Sequence, residues 1–448
     1  MYVLGAEEYR SRSAAAAGAL RAKGLRAGDR IAIVTPEHRF DPEEAAQLQA
    51  RVVSIVAGAL RSGLVPVPVN PMLTPAEIAH IVNDSQSSLT IESAADMVAL
   101  TDFDGPVPDL AEWPIGRAMH YTSGTTGRPK GVYTQVIGEQ NAQAMWEDEL
   151  DQWEFTDSDV TLVHGPLCHG APLRYAMLVL QVGGTAILPG VFDAERTVQA
   201  MVDYSPTHAF LVPSHLQRLF ELDLPPSPYR LVTHAGAAIL PATKRQVHEW
   251  AGIDRVWEFY GATEGQFTVC PGRVWEEHPG TIGYARPGRT LEIRDGVIWC
   301  TSPAFGRFEY WNDPAKTSAA WDGDAFSVGD LGRLEGDLLF MEGRREDLII
   351  TGGVNVYPAE VEAVLAECPG VSEVVVFGRD DERWGQRVCA VFSGTASAED
   401  LHSHAAEHLA AYKRPKQIEF LAEIPHNASG KVQRLVLAKG DPKGADST

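Results

Sequence analysis

Short apolar segments alternate with helix-like segments along most of this 448-residue chain. The strand candidates are Arg30–Val34, Val65–Val69, Thr185–Leu188, His208–Val212, Arg230–His234 and Arg255–Phe259. The helix candidates are Ala14–Lys23, Gln47–Arg61, Pro75–Asn83, Ala194–Tyr204 and Pro241–Trp250. Repeated alternation of this kind favours an α/β fold, in which layered, largely parallel sheets are flanked by helices.

Beyond about Gly343 the pattern restarts on a smaller scale. Helices are expected at Pro358–Glu367 and Ala398–Ala410, and strands at Val371–Gly378, Arg387–Ser393 and Gln417–Leu421. We therefore predict a large N-terminal domain at residues 1–346 and a small α+β domain at 347–448. The charged segment GRRED between them tolerates exposure and changes in backbone angle, so the small domain is expected to be mobile.

The charge balance disfavours several classes of partner. A formal net charge of -22 argues against nucleic acid and against an anionic membrane surface. The sequence has no run of 18 apolar residues and its first residues lack the apolar core of a signal peptide. Its five cysteines are dispersed without a C-x-x-C pair, which favours reduced thiols in the cytoplasm.

The stretch YTSGTTGRPKG, Tyr121–Gly131, has the composition of a polyphosphate-binding loop. Its glycines let backbone N–H groups approach an anion closely, its hydroxyl groups can donate hydrogen bonds to phosphoryl oxygens, and its two cations offset charge. The stretch differs from the usual P-loop, since Pro129 precedes Lys130 and Gly131 follows it. A Gly/Ser/Thr-rich surface turn is the alternative interpretation.

Four further segments carry functional residue types. YGATEGQ (260–266) follows a predicted strand, where open α/β sheets bind ligands, and Glu264 can hold Mg²⁺. VGDLGR (328–333) offers a carboxylate, Asp330, suited to a ribose diol. GRREDLIITGGVNVYP (343–358) contains the paired Gly352 and Gly353, and NASGKVQR (427–434) presents Lys431 on a glycine-containing loop. Each segment alone also fits a surface turn, a linker or a solvated charge.

Together and in this order, the five segments resemble the adenylate-forming superfamily of acyl- and aryl-CoA synthetases, luciferases and adenylation domains. The resemblance runs from about Gly24 to Arg434 and includes GLRAGDRIAIVTP, LRSGLVPVPVNP and HAGAAILP. The segments GRREDLIITGGVNVYPAEVEAVL and DERWGQRV look most like aryl-CoA ligases of the chlorobenzoate type.

The resemblance implies a role in ATP binding or adenylation for many residues. Phosphate contacts would come from Thr122, Ser123, Gly124, Thr125, Thr126 and Lys130. The adenine would lie against Gly236, Ala237, Ala238 and Tyr260, and the ribose against Asp330 and Arg344. Thr263 would bind the α-phosphate and Glu264 the Mg²⁺ ion, while Asp347 matches the hinge position. Lys431 would bridge the acid's carboxylate and the α-phosphate, neutralising charge as it develops.

The thiol acceptor is the second question that the resemblance raises. It places Gly352 and Gly353 along a narrow tunnel for a pantetheine arm, which residues without side chains permit. Tyr412 and Arg414 match positions that contact the CoA nucleotide. A carrier-protein phosphopantetheine would use the same tunnel without those contacts, so both acceptors stay open.

The segment PLCHGAPLRYA (166–176) matches the acid-binding loop of the family. The substrate pocket is expected to comprise His169, Gly170, Ala171, Arg174, Gly261 and Gln266, with His169 gating the carboxylate and then the thiol. Arg174 could form an internal ion pair or meet a polar or anionic substituent of the substrate. A nucleophilic Cys168–His169 pair is disfavoured, because adjacent side chains rarely face each other. Relatives that activate amino acids carry an Asp near this segment to bind the α-ammonium group. No such Asp is present here, which disfavours α-amino acids as substrates.

The sequence therefore predicts an ATP-dependent carboxylic acid–CoA ligase that uses ATP, Mg²⁺ and CoA on an aryl or other bulky acid. It would form an acyl-adenylate and pyrophosphate, and then transfer the acyl group to CoA with release of AMP. The alternatives are a stand-alone adenylation enzyme that loads a carrier protein and, more remotely, a non-catalytic nucleotide-binding module or a luciferase-like oxygenase.

Overall fold

A computed structural model of the chain describes residues 1–122, 129–344, 347–351, 354–381, 383–426 and 432–440. Its contacts divide the chain into two compact units. The first unit comprises Met1–Ala238, Ala242–Thr290 and Cys300–Phe326. The second unit comprises Ile239–Pro241, Leu291–Trp299 and Ser327–Thr448.

The strands, in chain order, are β1 Tyr2–Gly5, β2 Arg30–Val34, β3 Val65–Val69, β4 Leu89–Ile91, β5 His120–Thr122, β6 Lys130–Tyr133, β7 Val160–Leu162, β8 Thr185–Leu188, β9 His208–Leu211, β10 Leu231–His234, β11 Val256–Glu258, β12 Thr268–Pro271, β13 Thr281–Ala285, β14 Thr290–Arg294, β15 Val297–Thr301, β16 Glu309–Tyr310, β17 Trp321–Asp322, β18 Ala325–Phe326, β19 Asp330–Glu335, β20 Leu338–Arg344, β21 Ile349–Thr351, β22 Val354–Val356, β23 Val371–Asp381, β24 Gly385–Gly394 and β25 Gln417–Phe420.

The α-helices are α1 Ala6–Ala22, α2 Pro42–Arg61, α3 Pro75–Asp84, α4 Ala94–Thr101, α5 Glu139–Trp153, α6 Gly170–Val182, α7 Ala194–Tyr204, α8 Pro213–Phe220, α9 Pro241–Ala251, α10 Gly272–Glu277, α11 Pro314–Ala320, α12 Pro358–Leu365, α13 Ala398–His408 and α14 Arg434–Ala438. Among the described residues, no helix has both the length and the apolar character needed to cross a bilayer.

The first unit is built on a sheet with the strand order β1-β8-β7-β9-β10-β11-β12-β13. Its central strands, β8 to β11, pair in parallel, whereas β1, β12 and β13 add antiparallel edges. All four residues of β9 and of β10 are buried, as expected for strands with helices on both faces. Because β10 and β11 are parallel neighbours, the segments that follow them emerge at the same edge of the sheet.

This unit also contains two smaller, three-stranded sheets. The order β3-β2-β4 is fully parallel, and the order β16-β6-β5 is antiparallel. Helices α2 and α6 pack together in the main core, with buried faces that include Val53, Val56 and Leu60 on α2 and Leu173 and Met177 on α6. Residues of these two helices form one wall of a pocket in this unit.

The second unit contains the antiparallel hairpin β19–β20 and a sheet of order β22-β21-β24-β23. Strand β25 adds to β24 in parallel, and helix α12 packs against β23. The core of this sheet includes Ile349, Val361, Val376, Phe392 and Leu401, all almost completely buried. Long β-strands covered by α12 and α13 give the α+β arrangement that the sequence predicts.

The predicted fold class is confirmed, and most predicted elements match within a few residues. Helix α2 starts earlier than predicted, at Pro42, because Asp41 accepts hydrogen bonds from the amides of Glu43 and Glu44 and proline suits the first turn. The hairpin β19–β20, which the predicted division assigns to the N-terminal domain, belongs to the second unit by its contacts. The hinge at Asp347 and the mobility of the small domain stay predictions.

Candidate active site

The predicted phosphate-binding loop is flanked by a regular hairpin. Strands β5 and β6 are antiparallel, and Thr122 lies opposite Lys130. The ammonium group of Lys130 forms an ion pair with Asp313, which also caps helix α11 by accepting from the amide of Lys316. The side chains of Lys130 and Asp313 are 27% and 24% exposed, so this contact remains accessible to solvent. Ser123, Gly124, Thr125 and Thr126 lie outside the described residues.

Two of the predicted ligand-binding segments follow neighbouring parallel strands. His234 at the end of β10 lies opposite Glu258 at the end of β11. Gly236, Ala237 and Ala238 come directly after β10 and are exposed, and Gly236 has a φ of +92°, a conformation that favours glycine. Tyr260 comes directly after β11 and is half-buried, with its ring 4.9 Å from that of Phe267. The structure thus brings the predicted adenine contacts of this unit to one sheet edge.

A tight turn presents Thr263 and Glu264. The amides of Ala262 and Gly265 each donate to the other residue's carbonyl, and Gly261 pairs with Gln266 in a β-bridge. A Cβ atom at Gly261 would lie 2.8 Å from the carbonyl oxygen of Gly265, so this position requires glycine. Thr263 is exposed, whereas Glu264 is 8% exposed. The turn therefore offers one accessible hydroxyl beside one buried carboxylate.

The carboxylate of Glu264 accepts a hydrogen bond from Tyr310 of strand β16. The Tyr310 hydroxyl donates to Glu264 Oε1 at 2.7 Å, and burial, together with the Glu264 charge, raises the pKa of Tyr310. A buried carboxylate that shares a pocket with an exposed hydroxyl suits a hard cation such as Mg²⁺, which needs few protein ligands when phosphates supply the others. No group of three or more His, Cys, Asp or Glu side chains is arranged for a metal among the described residues.

The acid-binding segment forms the start of helix α6. His169 occupies the N-cap position, is half-buried and accepts the first helical hydrogen bond from the amide of Leu173 through its carbonyl. Cys168 is buried, and burial raises the pKa of its thiol, which argues against a nucleophilic Cys168–His169 pair. His120 lies nearby, with Nδ1 2.9 Å from the Cys168 carbonyl oxygen, and burial lowers the pKa of His120 to about 4.

A pocket runs from the Thr263–Glu264 turn into the core of the first unit. Its empty space, counted together with the open solvent at its mouth, is about 690 Å³. Its apolar walls come from Val56, Leu60, Val132, Met145, Trp146, Leu173, Met177 and Phe308. Gly170 and Arg174 line it, and Gln266 lines an adjoining pocket. The other predicted pocket residues, His169, Ala171 and Gly261, are not among those that line these two pockets.

A cluster of charged side chains lies where the two pockets adjoin. Of its members, only Arg174 is predicted from the sequence. Glu149 Oε1 lies 3.0 Å from Arg174 Nη1, 3.2 Å from Arg286 Nη1 and 3.9 Å from Arg117 Nη2. Glu149 is 5% exposed. Burial alone would raise the pKa of Glu149, but the three guanidinium charges outweigh it and hold that pKa well below its usual range. Arg174 thus forms the internal ion pair that was one of its two predicted roles.

A second carboxylate completes the cluster. Asp148 accepts from Arg286 at 2.6 Å and from Arg289 at 2.7 Å, while Arg286 also donates to Gln266 Oε1 at 2.7 Å. Arg286 and Arg289 are 1% and 6% exposed, so they are structural cations with close partners. We name Arg117, Glu149, Arg174, Asp148, Arg286 and Arg289 the arginine cluster.

Asp330 and Arg344 lie in the second unit, on adjacent antiparallel strands. Asp330 opens β19, is 6% exposed and lies directly opposite Arg344 of β20 in the strand register. Gly329, with a φ of +84°, turns the chain into β19, and its amide donates to Ser327 Oγ. The backbone therefore puts the two predicted ribose contacts at one point of one hairpin.

The remaining predicted positions also belong to the second unit. Asp347 Oδ2 lies 3.6 Å from Arg434 Nη1, and Arg434 donates to Glu362 at 2.6 Å. Tyr412 is exposed, and the Nε group of Arg414 donates to the Leu409 carbonyl at 2.8 Å. Lys431, Gly352 and Gly353 lie outside the described residues.

Comparison with known proteins identifies the family. The model of the AMP-binding enzyme family matches residues 4–110 and 117–297, and that of the AMP-binding enzyme C-terminal domain matches residues 360–431. Among curated relatives, a long-chain-fatty-acid–CoA ligase, FadD13 of Mycobacterium tuberculosis, is 30% identical over 94% of this chain and 90% of its own. A fatty acid–[acyl-carrier-protein] ligase, ScoC of Streptomyces coeruleorubidus, is 30% identical over 94% of this chain and 88% of its own.

A solved structure agrees with these matches. The o-succinylbenzoate CoA synthetase MenE of Bacillus subtilis, in complex with its acyl-adenylate intermediate, superposes with a TM-score of 0.82. The two chains are 26% identical, and the match covers 96% of this chain and 92% of that one. The predicted resemblance to the adenylate-forming superfamily is confirmed, whereas the likeness to the chlorobenzoate type stays a prediction. The chain therefore belongs to the AMP-binding enzyme family.

Proposed function

We propose that this protein is an ATP-dependent carboxylic acid–CoA ligase that works through an acyl-adenylate. Its relatives are named as ligases of a carboxylic acid with CoA or with a carrier protein, and one similar structure holds an acyl-adenylate. The carboxylate attacks the α-phosphorus of ATP and pyrophosphate leaves. The thiol of CoA then attacks the acyl carbon and AMP leaves.

One observation of the structure supports this proposal more than any other. The same pocket is lined by the Thr263–Glu264 turn and by the apolar walls on α2 and α6. An acid whose carbon skeleton lies along those walls would have its carboxylate near the turn. Thr263 would donate to the α-phosphate, and Glu264 would hold Mg²⁺, which supplies positive charge to the phosphates when it is bound. The walls exclude water from the mixed anhydride that forms.

The other roles are proposals carried by the family resemblance. Lys130 would exchange its contact with Asp313 for the outer phosphates, and Tyr260 would lie against the adenine. Asp330, buried at the start of β19, would bind the ribose hydroxyls. Lys431 would offset the charge between the two reacting anions.

A direct test is acid-dependent release of pyrophosphate from ATP, followed by detection of the acyl-CoA thioester. Lys431→Ala should lower acyl-adenylate formation by roughly 10²–10³-fold, while thioester formation from supplied acyl-adenylate is retained. Lys439→Ala, an exposed lysine of the same unit, is the matched control. Equal loss of both half-reactions in Lys431→Ala contradicts the role of Lys431, and no acid-dependent pyrophosphate release contradicts the function.

A carrier protein is the second candidate acceptor, since ScoC is named as an acyl-carrier-protein ligase. Tyr412 and Arg414 discriminate between the acceptors. If free CoA is the acceptor, Arg414→Ala should raise the KM for CoA and leave adenylation unchanged. An unchanged KM for CoA, with efficient transfer to a phosphopantetheinyl carrier protein, would favour the carrier-protein function.

A further inference from the structure

Arg117 is the arginine of the cluster that lies farthest from its nearest carboxylate. Its nearest carboxylate oxygen is 3.9 Å away, and its guanidinium group makes no hydrogen bond among the described residues. The other three arginines have carboxylate contacts of 2.6–3.0 Å. Burial, and then the charge of Arg174, lower the pKa of Arg117 to about 10, so it remains protonated at neutral pH. A guanidinium group carries five N–H donors, and the 3.9 Å contact with Glu149 leaves donors of Arg117 available to a further partner.

The charge count of the pocket leads to the same conclusion. Four guanidinium groups are accompanied by the carboxylates of Glu149 and Asp148 and by Glu264, which lines both pockets. Among these described side chains, the guanidinium groups outnumber the carboxylates by one positive charge even when Glu264 is counted. If Glu264 holds a metal ion, the excess is larger. An anionic ligand would restore the balance.

The position of Arg117 makes the missing partner a ligand. Arg117 and its neighbours Gly116 and Ala118 line the same pocket as the apolar walls, and the Arg117 side chain is 22% exposed. Its donors are thus accessible from the pocket. A planar carboxylate matches a guanidinium group geometrically, because two parallel N–H···O bonds can form.

We propose that the pocket selects a dicarboxylic acid, whose second carboxylate binds Arg117 while the first is activated. The spacer between the carboxylates is apolar, since aliphatic and aromatic side chains form most of the remaining lining, which also includes His120 and Thr134. This inference rests on the proposed acid–CoA ligase function and adds the substrate class to it. Arg174 would assist as a second donor, because its Nη2 atom is near Gly170 at the same pocket.

The test compares pairs of acids that differ in one end group. Glutarate is paired with pentanoate, adipate with hexanoate, and terephthalate with 4-methylbenzoate, and ATP-dependent pyrophosphate release is measured for each. The best substrate of the panel should be a dicarboxylic acid, and its methyl partner should have a kcat/KM lower on the order of 10–100-fold, the loss expected for one charge-assisted hydrogen bond. A best substrate with one carboxylate overturns the proposal while it supports the ligase function.

Arg117→Met provides the second arm. It should reduce the ratio of kcat/KM between a dicarboxylic acid and its methyl partner on the order of 10–100-fold, mainly through KM. Arg51→Met is the matched control, because Arg51 is 16% exposed in the same unit and pairs with Asp102 away from the pocket. An unchanged ratio, with both acids affected equally, would mean that Arg117 binds the reacting carboxylate or a phosphate, and overturns the proposal. If none of the acids in the panel causes pyrophosphate release, both the ligase function and this inference are refuted.

Discussion

Replacing Glu149 with glutamine tests the arginine cluster at its centre. Glu149→Gln keeps the shape of the side chain but leaves the surrounding guanidinium groups without a carboxylate at this point. The two close hydrogen bonds to Glu149 Oε1, at 3.0 and 3.2 Å, are charge-assisted on both sides. Each such bond contributes about 1.5–3 kcal/mol, and a neutral acceptor retains about half of that. The bonds alone therefore account for a loss of about 1.5–3 kcal/mol.

The remaining charge adds to this loss. Breaking a buried ion pair by removing one partner costs about 3–5 kcal/mol in other proteins, because the other charge is left buried. We expect Glu149→Gln to lower the free energy of unfolding by about 3 kcal/mol. With a urea m-value near 3 kcal/mol per molar, the unfolding midpoint would fall by about 1 M.

Urea unfolding followed by far-UV circular dichroism measures this shift, and Glu147→Gln is the control. Glu147 lies on the same helix, α5, but is exposed, so its replacement should change stability by no more than about 0.5 kcal/mol.

The pH dependence of the stability difference provides a second test. Because the folded-state pKa of Glu149 is lowered, its contribution is present above the unfolded pKa of about 4.3 and is lost only as the pH falls through the lower folded value. The difference between wild type and Glu149→Gln should thus be undiminished at pH 5. Equal midpoints for the two variants would refute the electrostatic argument.

Three further outcomes follow from buried groups. Tyr310→Phe removes the donor to Glu264 Oε1 and should raise the Mg²⁺ concentration needed for half-maximal pyrophosphate release by roughly 10-fold; an unchanged Mg²⁺ dependence would separate Glu264 from the metal. His208 is fully buried and burial lowers its pKa to about 4, so stability should be full above pH 6.5 and fall by up to about 3 kcal/mol as the pH drops towards 4, which acid unfolding of wild type and His208→Gln compares. All five cysteines are buried and unpaired, so a water-soluble disulfide reagent should titrate none in the native protein and five after unfolding in urea; reaction of a native thiol would contradict the burial.

The fold was predictable because its main signals are local. Strands such as β8 and helices such as α7 have the bounds that their apolar periodicity predicts, since buried parallel strands need continuous apolar residues. The start of α1 at Ala6 was missed. Its first turns carry polar residues outside the Ala-rich segment, and their helical state depends on packing that involves the buried Tyr9.

The candidate site was predictable only where a motif states the chemistry. Thr263 and Glu264 lie in one short turn, so the local sequence alone shows that their side chains are close together. Arg117, Glu149 and Arg286 meet only through tertiary packing, and nothing local to Arg117 indicates an acid pocket. Glu149 had one available signal, because it interrupts the buried face of α5 that includes Met145 and Trp153. A carboxylate at such a position predicts a buried cation as its partner.

The arginine cluster separates stability from selectivity, and the two can be tested independently. Glu149 holds Arg174 and Arg286 by close hydrogen bonds, so its loss should destabilise the fold. Arg117 contributes no such bond, and its replacement by methionine removes a partly buried cation that the other arginines repel, so stability should change little or rise. The same replacement should remove the preference for a second carboxylate, which Glu149→Gln should retain, because Arg117 is still present. Arg117 meets its nearest carboxylate oxygen only at 3.9 Å, in a chain whose net charge is -22, and a ligand carboxylate in the pocket would complete its contacts.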